Sequence, residues 1–256
     1  MRIATFNVNS VRARLPIVTE WLAKNRPDVL CAQETKVQDI AFPVEEIEQI
    51  GYRSYFKGQK GYNGVAVFTL EEAADVCFGL DSEPCDEARI VTVRVGEVTI
   101  VNTYVPQGDS VDSVKFLYKL EWFKRLRRYF ENNFKASNMV LWTGDFNVAP
   151  EAIDVYRPEE KGNHVCFCPA VREALGEVMG WGFEDVFRRH CSEAGQYSFW
   201  DYRLTGSFER NLGWRLDHFM ATRVLAERSV GCYIDKLPRG LPRPSDHTPV
   251  VAEFAV

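Results

Sequence analysis

Val29-Leu30-Cys31-Ala32-Gln33-Glu34 is an apolar run that ends on a carboxylate, and four other strand-like runs carry hard acids or amides at their ends. Asn7 and Asn9 follow Ile3-Ala4-Thr5-Phe6, and Asp145 and Asn147 follow Met139-Val140-Leu141-Trp142. Asp217 lies inside Arg215-Leu216-Asp217-His218-Phe219-Met220, and Asp246-His247 opens Thr248-Pro249-Val250-Val251-Ala252. An α/β fold gathers its chemistry at strand ends, so these runs predict one shared site. Carboxylates and amide oxygens without thiolates suit Mg²⁺, or Mn²⁺ in its place, better than zinc or copper. The pattern is the one a divalent-metal phosphodiesterase needs.

Working outward, strand-like and helical runs alternate at the start: strand 2–8, helix 14–25 stopped by Pro27, strand 28–33, and helix 43–50 between Pro43 and Gly51. Short strands without helices follow at 52–57, 64–69, 89–95 and 98–105, so the middle is antiparallel. Phe116, Leu120, Phe123, Leu126, Phe130 and Phe134 then recur every three or four residues and mark the core stripe of a long helix. Its lysines and arginines are left for solvent or a polyanion. Leu141-Trp142-Thr143-Gly144-Asp145-Phe146-Asn147-Val148 echoes Ile3-Ala4-Thr5-Phe6-Asn7-Val8, with Phe-Asn-Val shared, which suggests two similar halves at about 1–137 and 138–256. The second half reads as a helix near 169–180 and strands near 196–202, 215–221, 229–234 and 248–255. Two mixed sheets packed face to face, with helices outside, fit this order as one unit over 1–256, because no low-complexity linker divides it.

At 256 residues the chain buries about three quarters of its unfolded surface, so it needs neither disulfide nor metal to fold. Hydrophobic residues at 46% and charged residues at 26% exclude a disordered chain. A net charge of −5 argues against nucleic-acid binding by bulk charge, but not against a local basic face. The segment 112–135 is such a candidate, with Lys115, Lys119, Lys124, Arg125, Arg127, Arg128 and Lys135 against Asp112, Glu121 and Glu131. The seven cysteines are irregularly spaced and several sit in apolar runs, which reads as reduced core thiols in a cytoplasmic protein. His164-x-Cys166-x-Cys168 lacks the second pair a soft-metal site requires and reads as strand-like alternation. No apolar stretch approaches 18 residues and Met1 leads directly into a strand, so neither a membrane partner nor secretion is expected.

Phosphodiester hydrolysis needs charge neutralised on phosphoryl oxygens, an activated water and help for the departing alkoxide. Glu34 is the natural metal ligand, although alone it reads equally as an exposed strand-end acid. Asn7 and Asn9 can share a strand face, although Asx residues after a strand more often make turns. Asp145 with Asn147 can activate and hold water, against the same turn alternative. Asp217 interrupts an apolar run and needs a partner, for which His247 is the candidate. His164, His190 and His218 read as structural.

Thr5-Phe6-Asn7-Val8-Asn9, Gln33-Glu34-Thr35-Lys36, Tyr104-Val105-Pro106-Gln107-Gly108, Gly144-Asp145-Phe146-Asn147, Gly213-Trp214-Arg215-Leu216-Asp217 and Ser245-Asp246-His247 together resemble the exonuclease III family of abasic-site endonucleases. Six motifs in the family's order span nearly the whole chain. The resemblance implies a four-layer α/β sandwich, Mg²⁺ dependence and cleavage 5′ to abasic sites in double-stranded DNA. By that likeness Glu34 holds the metal with Asn7 and Asp246, Asp145 with Asn147 activates water, His247 paired with Asp217 contacts the phosphate, and Tyr104 adds a phenol. Asn9 departs from relatives that carry Asp there.

Losing the base lowers the cost of extruding a nucleotide, so a small apolar pocket selects abasic sugar. Phe199, Trp214 and Leu216 match the family's pocket, although aromatics in strands are usually core. The surrounding polar stretch interleaves Arg203, Arg210 and Arg215 with aromatics, which suits a wedge into distorted DNA or a plain solvated loop. Asn9, Arg12, Lys36, Lys57, Lys60, Arg239 and Arg243 are candidates for backbone grip. A monomer is expected. The competing readings are another phosphodiesterase or phosphatase of the superfamily, acting on inositol phosphates or RNA, and a DNA-binding module with an inert acidic cluster.

Overall fold

The computed structural model describes residues 1–80 and 88–256; Cys85, one of the cysteines read as core thiols, lies outside the described residues. In chain order the strands are β1 (Arg2–Asn7), β2 (Val29–Gln33), β3 (Arg53–Lys57), β4 (Val65–Thr69), β5 (Ala74–Phe78), β6 (Ile90–Val95), β7 (Val98–Tyr104), β8 (Val140–Asp145), β9 (Phe183–Asp185), β10 (Asp217–Thr222), β11 (Ser229–Ile234) and β12 (Val250–Phe254). The helices are α1 (Leu15–Asn25), α2 (Val44–Glu48), α3 (Val114–Asn133), α4 (Pro169–Met179), α5 (Val186–His190) and α6 (Arg223–Ala226). One sheet has the order β11-β12-β1-β2-β4-β3, the other β5-β6-β7-β8-β10-β9.

Side-chain alternation divides the strands between two cores. In β2, Val29 and Cys31 join the core between the sheets, while Leu30 and Ala32 join a second core with Val18, Trp21 and Leu22 of α1. A strand covered on both faces has no reason to alternate with polar residues, which is why 29–33 reads as a continuous apolar run. On the far side, Trp142 of β8 and Met220 of β10 face Phe123, Leu126 and Phe130 of α3 and Leu175 of α4. Helix, sheet, sheet, helix is the resulting order of layers. Ser113 caps α3 by accepting from the Phe116 N–H at 3.1 Å.

Each sheet takes strands from both sides of residue 137. The first uses β1 to β4 with β11 and β12, the second β5 to β7 with β8 to β10. Around β1, β2 is parallel and β12 antiparallel; around β8, β7 is parallel and β10 antiparallel.

Several local expectations are corrected. Residues 196–202 form no strand, for Phe199 makes only isolated bridges to Trp214 and His247. Residues 164–168 are turns rather than an alternating strand, because the Cys166 and Cys168 amides donate to His164 Nδ1 and its carbonyl, curling the chain. Lys119 and Arg125 of α3 are buried, so the helix does not leave all its cations to solvent. Four elements carried no sequence signal: β5 is mostly exposed and broken by a register shift, and β9, α5 and α6 are too short for periodicity to register. No helix among the described residues is long and apolar enough to cross a membrane.

Candidate active site

Register alone brings the polar strand ends together. The parallel pairing of β1 and β2 sets Asn7 against Gln33, so Glu34 projects immediately beyond. In the other sheet Asp145 is paired with Tyr104 on one side and Asp217 on the other. Beneath them Gln33 Nε2 donates across the sheet interface to Asn102 Oδ1 at 2.7 Å, fixing one sheet against the other, and within its own sheet to Thr5 Oγ1 at 2.9 Å.

Asn7 and Asp145 each use one side-chain oxygen to accept from the amide two residues on, at 3.0 Å from Asn9 and 2.9 Å from Asn147. Asn9 at φ 42° and Asn147 at φ 50° take the left-handed conformation that asparagine tolerates. The turn and the site are therefore compatible uses of one side chain. Asn7 Nδ2 donates to Glu34 Oε1 at 2.7 Å and to Asp145 Oδ2 at 2.8 Å, and Asn147 Nδ2 donates to Val105 O at 3.0 Å. Asn9 Nδ2 donates to Asp246 Oδ1 at 3.0 Å.

His247 Nδ1 lies 2.8 Å from Asp217 Oδ2, and its Nε2 lies 3.7 Å from Asp145 Oδ2. Burial works against the imidazolium, but Asp217 and Asp145 outweigh it and raise His247 to about 10. For Asp145, burial pushes upward, His247 pulls back, and Asp217 and Glu34 add repulsion, leaving it at about 7. Burial would also raise Glu34, yet the Lys36 ammonium 2.6 Å away and the Asn7 amide hold it below the ordinary carboxylate range. Tyr104 is kept protonated by burial and by the charges of Glu34 and Asp145.

The ligand atoms of Glu34, Asp145 and His247 all lie within 4.8 Å of one another. Four carboxylates (Glu34, Asp145, Asp217, Asp246) gather here, and among the described residues the ion pairs they make are with Lys36 and His247, while Asp217 Oδ1 is buried without a hydrogen-bond partner. That excess of negative charge fits a hard divalent cation. Cys166 borders the pocket, but burial pushes its thiol to about 11, so it offers no thiolate for a soft metal. Of the residues expected at the metal, Glu34 belongs to this group, Asn7 presents its amide nitrogen to two carboxylates, and Asp246 flanks it through Asn9.

Glu34 and His247 of this cluster line a cavity of about 270 Å³ whose walls include Phe199, Trp214 and Leu216. Phe199 lies 4.8 Å from the His247 ring, and Trp214 is tilted over His164 at 4.5 Å. A larger groove of about 680 Å³ runs between α3 and α4, but the one such His/carboxylate group among the described residues is at the smaller cavity. Arg203 borders the cavity, its guanidinium paired with Asp201 at 2.8 Å. Lys60 is exposed on the β3–β4 loop and Arg210 on the 203–212 loop, neither lining the cavity.

Arg215 is no wedge. It is fully buried, with Nε 2.7 Å from Asp154 Oδ1 and Nη2 2.8 Å from Asp185 Oδ2. His164, read as structural, lines the cavity, as do Gln107, Cys166 and Asp201. Burial and the charge of Lys119 lower His164 to about 4, so it stands there neutral. A histidine in a polar stretch gave no sign of this, because the turns at 164–168 place it.

The sequence profile of the Endonuclease/Exonuclease/phosphatase family matches residues 4–247. The chain is 35% identical to exodeoxyribonuclease III of Haemophilus influenzae, over 99% of this chain and 100% of that protein. Among solved structures it superposes on an AP endonuclease from Archaeoglobus fulgidus with a TM-score of 0.98 at 50% identity, covering 100% of both chains. It superposes on the 3′ phosphatase NExo from Neisseria, bound to a product DNA hairpin, with a TM-score of 0.96 at 36% identity, again covering 100% of both. The chain therefore belongs to the endonuclease/exonuclease/phosphatase family, on its exodeoxyribonuclease III and AP endonuclease branch of hydrolytic nucleases.

Proposed function

We propose that this chain is a Mg²⁺-dependent DNA repair phosphodiesterase that cuts the backbone 5′ to abasic sites in double-stranded DNA, acting as a cytoplasmic monomer. The observation that carries this reading is the Asp145–His247–Asp217 constellation, whose His247 lines a cavity walled by Phe199, Trp214 and Leu216. A cavity of about 270 Å³ with apolar walls accommodates a sugar that has lost its base.

Glu34 would hold the ion, with Asp246 or Asn7 reached through water or a turned amide. When bound, Mg²⁺ (or Mn²⁺) neutralises charge on the scissile phosphate. His247, protonated up to about pH 10, donates from Nε2 to a phosphoryl oxygen, while Asp217 holds its Nδ1. Asp145, titrating near 7, accepts the proton of the attacking water, and Asn147 orients that carboxylate. The P–O3′ bond breaks, and the departing 3′-oxygen takes a proton from solvent water, leaving a 3′-hydroxyl on one side and the abasic 5′-phosphate on the other. Tyr104, still protonated, is a donor to the same phosphate. Lys36, Lys60, Arg203 and Arg210 with Asn9 supply grip on the flanking backbone. The likeness to a 3′ phosphatase supports 3′-end trimming or 3′→5′ exonuclease action at the same pocket.

The test is a duplex with one abasic analogue, incubated with Mg²⁺ or EDTA beside intact, uracil-containing and recessed 3′-end duplexes. Nicking of the abasic duplex with Mg²⁺ alone is expected. Binding unaffected by EDTA without any cleavage would leave a DNA-binding module instead, and cleavage of inositol phosphates but not DNA would move the chain to another branch. If about six phosphates are neutralised, affinity falls by roughly 10³ between 50 and 200 mM salt.

A further inference from the structure

Lys119 lies on α3 with no exposed surface. Its ammonium donates to the carbonyl oxygens of Asn147 at 2.8 Å, Val165 at 2.8 Å and Gln107 at 3.1 Å. An ammonium has three N–H donors, and here each has one acceptor. The three carbonyls come from three separate segments: the chain after β7, the chain after β8, and the turns before α4. Each segment puts a side chain on the cavity wall, namely Gln107, Asn147, and His164 with Cys166 beside Val165.

We propose that Lys119 is a positioning residue for the phosphodiester cleavage put forward above, drawing these three segments together so that Asn147 holds Asp145 in its reacting orientation. The link is direct. Lys119 fixes the Asn147 carbonyl, and the Asn147 backbone N–H and Nδ2 donate to the two oxygens of Asp145 at 2.9 and 3.3 Å. Asn147 sits at φ 50°, in the left-handed region that asparagine tolerates, and the lysine is one of the contacts that hold it there. The stem is enclosed as well as the charge. Gly108 bends around it at φ +104°, where a Cβ would meet Phe116 at 3.2 Å and the Lys119 Cδ at 3.3 Å. Burying an ammonium carries a large desolvation cost, and three preplaced carbonyls are what offsets it.

This inference rests on the nuclease reading, yet it makes a separate claim about geometry. Lys119 touches no substrate, so its loss acts on chemistry and not on DNA grip. Lys119→Met keeps the stem and removes the donors. Its kcat on the abasic duplex is expected to fall roughly 10- to 100-fold, the scale of a 1 Å misplacement. Its Kd for the same duplex should change by less than about twofold, because phosphate contacts lie elsewhere. Lys119→Arg, which keeps donors, should retain part of the rate, and methylammonium should restore part of the rate of Lys119→Ala. Amide hydrogen exchange at Asn147 and Ala149, the latter bonded to Cys166 O at 2.8 Å, should quicken in Lys119→Met even without DNA. Wild-type kcat in a folded Lys119→Met, or a weakened Kd with kcat intact, overturns the proposal. If Lys119→Met does not fold, the Ala variant decides by whether methylammonium returns activity. Should the wild-type protein fail to nick the duplex, the nuclease reading fails, and the exchange rates still judge the clamp by themselves.

Discussion

At the end of β1 the Asn7 side chain accepts from the Asn9 amide and turns the chain through a left-handed residue; at the end of β8 Asp145 does the same with Asn147. Both strands lie between a parallel and an antiparallel neighbour. The backbones match while the chemistry does not. Asn7 offers two N–H donors, and one goes to Glu34 and the other to Asp145, so a neutral amide separates two carboxylates. Asp145 is the group so held. A carboxylate at both ends would put like charges about a hydrogen bond apart in a buried site, and the difference shows how one turn geometry is given two jobs by one functional group.

Converting one end into the other tests this most severely. Asp145→Asn makes both ends amides, and single-turnover nicking should fall roughly 10²- to 10⁴-fold, the range for losing a general base. A loss under tenfold would remove Asp145 from the chemistry. Asp217→Asn leaves both ends intact and loosens the histidine between them. Nicking should drop about 10²-fold, and the His247 titration followed by NMR should move down from about 10 towards 6.5. The sign follows from linkage. A histidine raised on folding gives stability that is complete below its ordinary 6.5 and is lost as pH rises through about 10, so the variant should lose that alkaline slope.

Asn7→Asp makes both ends acids, and an effect on the order of tenfold in kcat at neutral pH is expected. The added charge raises Asp145 above about 7, so its base form appears at higher pH and the acid limb of the pH–rate profile moves up. An unmoved limb would show that Asp145 does not govern it. A smaller effect separates the two sheets in stability. His218, next to Asp217 on β10, accepts from Arg215 at Nδ1 and faces Val148 O from Nε2, an arrangement that suits the neutral ring, and burial with the Arg215 charge lowers it to about 4. Its contribution is complete above 6.5 and lost as pH falls towards 4, so His218→Gln should flatten the acid side of a urea-unfolding series. Lys60→Ala and Arg210→Ala, distant from both ends, should leave kcat unchanged and lower the salt slope of DNA affinity by about 0.9 each if each meets one phosphate.

The sequence echo illustrates how far reading by letters goes. Matching Phe-Asn-Val to Phe-Asn-Val aligns Asn7 with Asn147, whereas the folded strand ends align Asn7 with Asp145, two residues earlier. A shift of two keeps each side chain on its face of the strand, which is why the echo pointed to the right place with the wrong pairing. Long elements such as α3 and the buried β2 were legible because their apolar pattern is dictated by the layers they touch. β5, β9 and the turns at 164–168 were not, since their conformation depends on neighbours far away in sequence. The polar strand ends were legible for a different reason: an apolar run that stops at an acid is unusual enough to be noticed. Lys119 and Arg215 were misplaced because charge patterning assumes that cations face water, and it fails where carbonyls or carboxylates already wait inside.

By itself the sequence determined which segments are strands and helices over most of the chain and which polar groups close them, because burial selects side chains residue by residue. Tertiary structure decided the rest: that Asn7 presents its amide to two acids, that His247 stands between Asp217 and Asp145, and that a lysine and an arginine work from inside. Those facts depend on angles and distances between segments up to 240 residues apart, from Asn7 to His247. Register and sheet packing fix such distances, and no local pattern of residues encodes them.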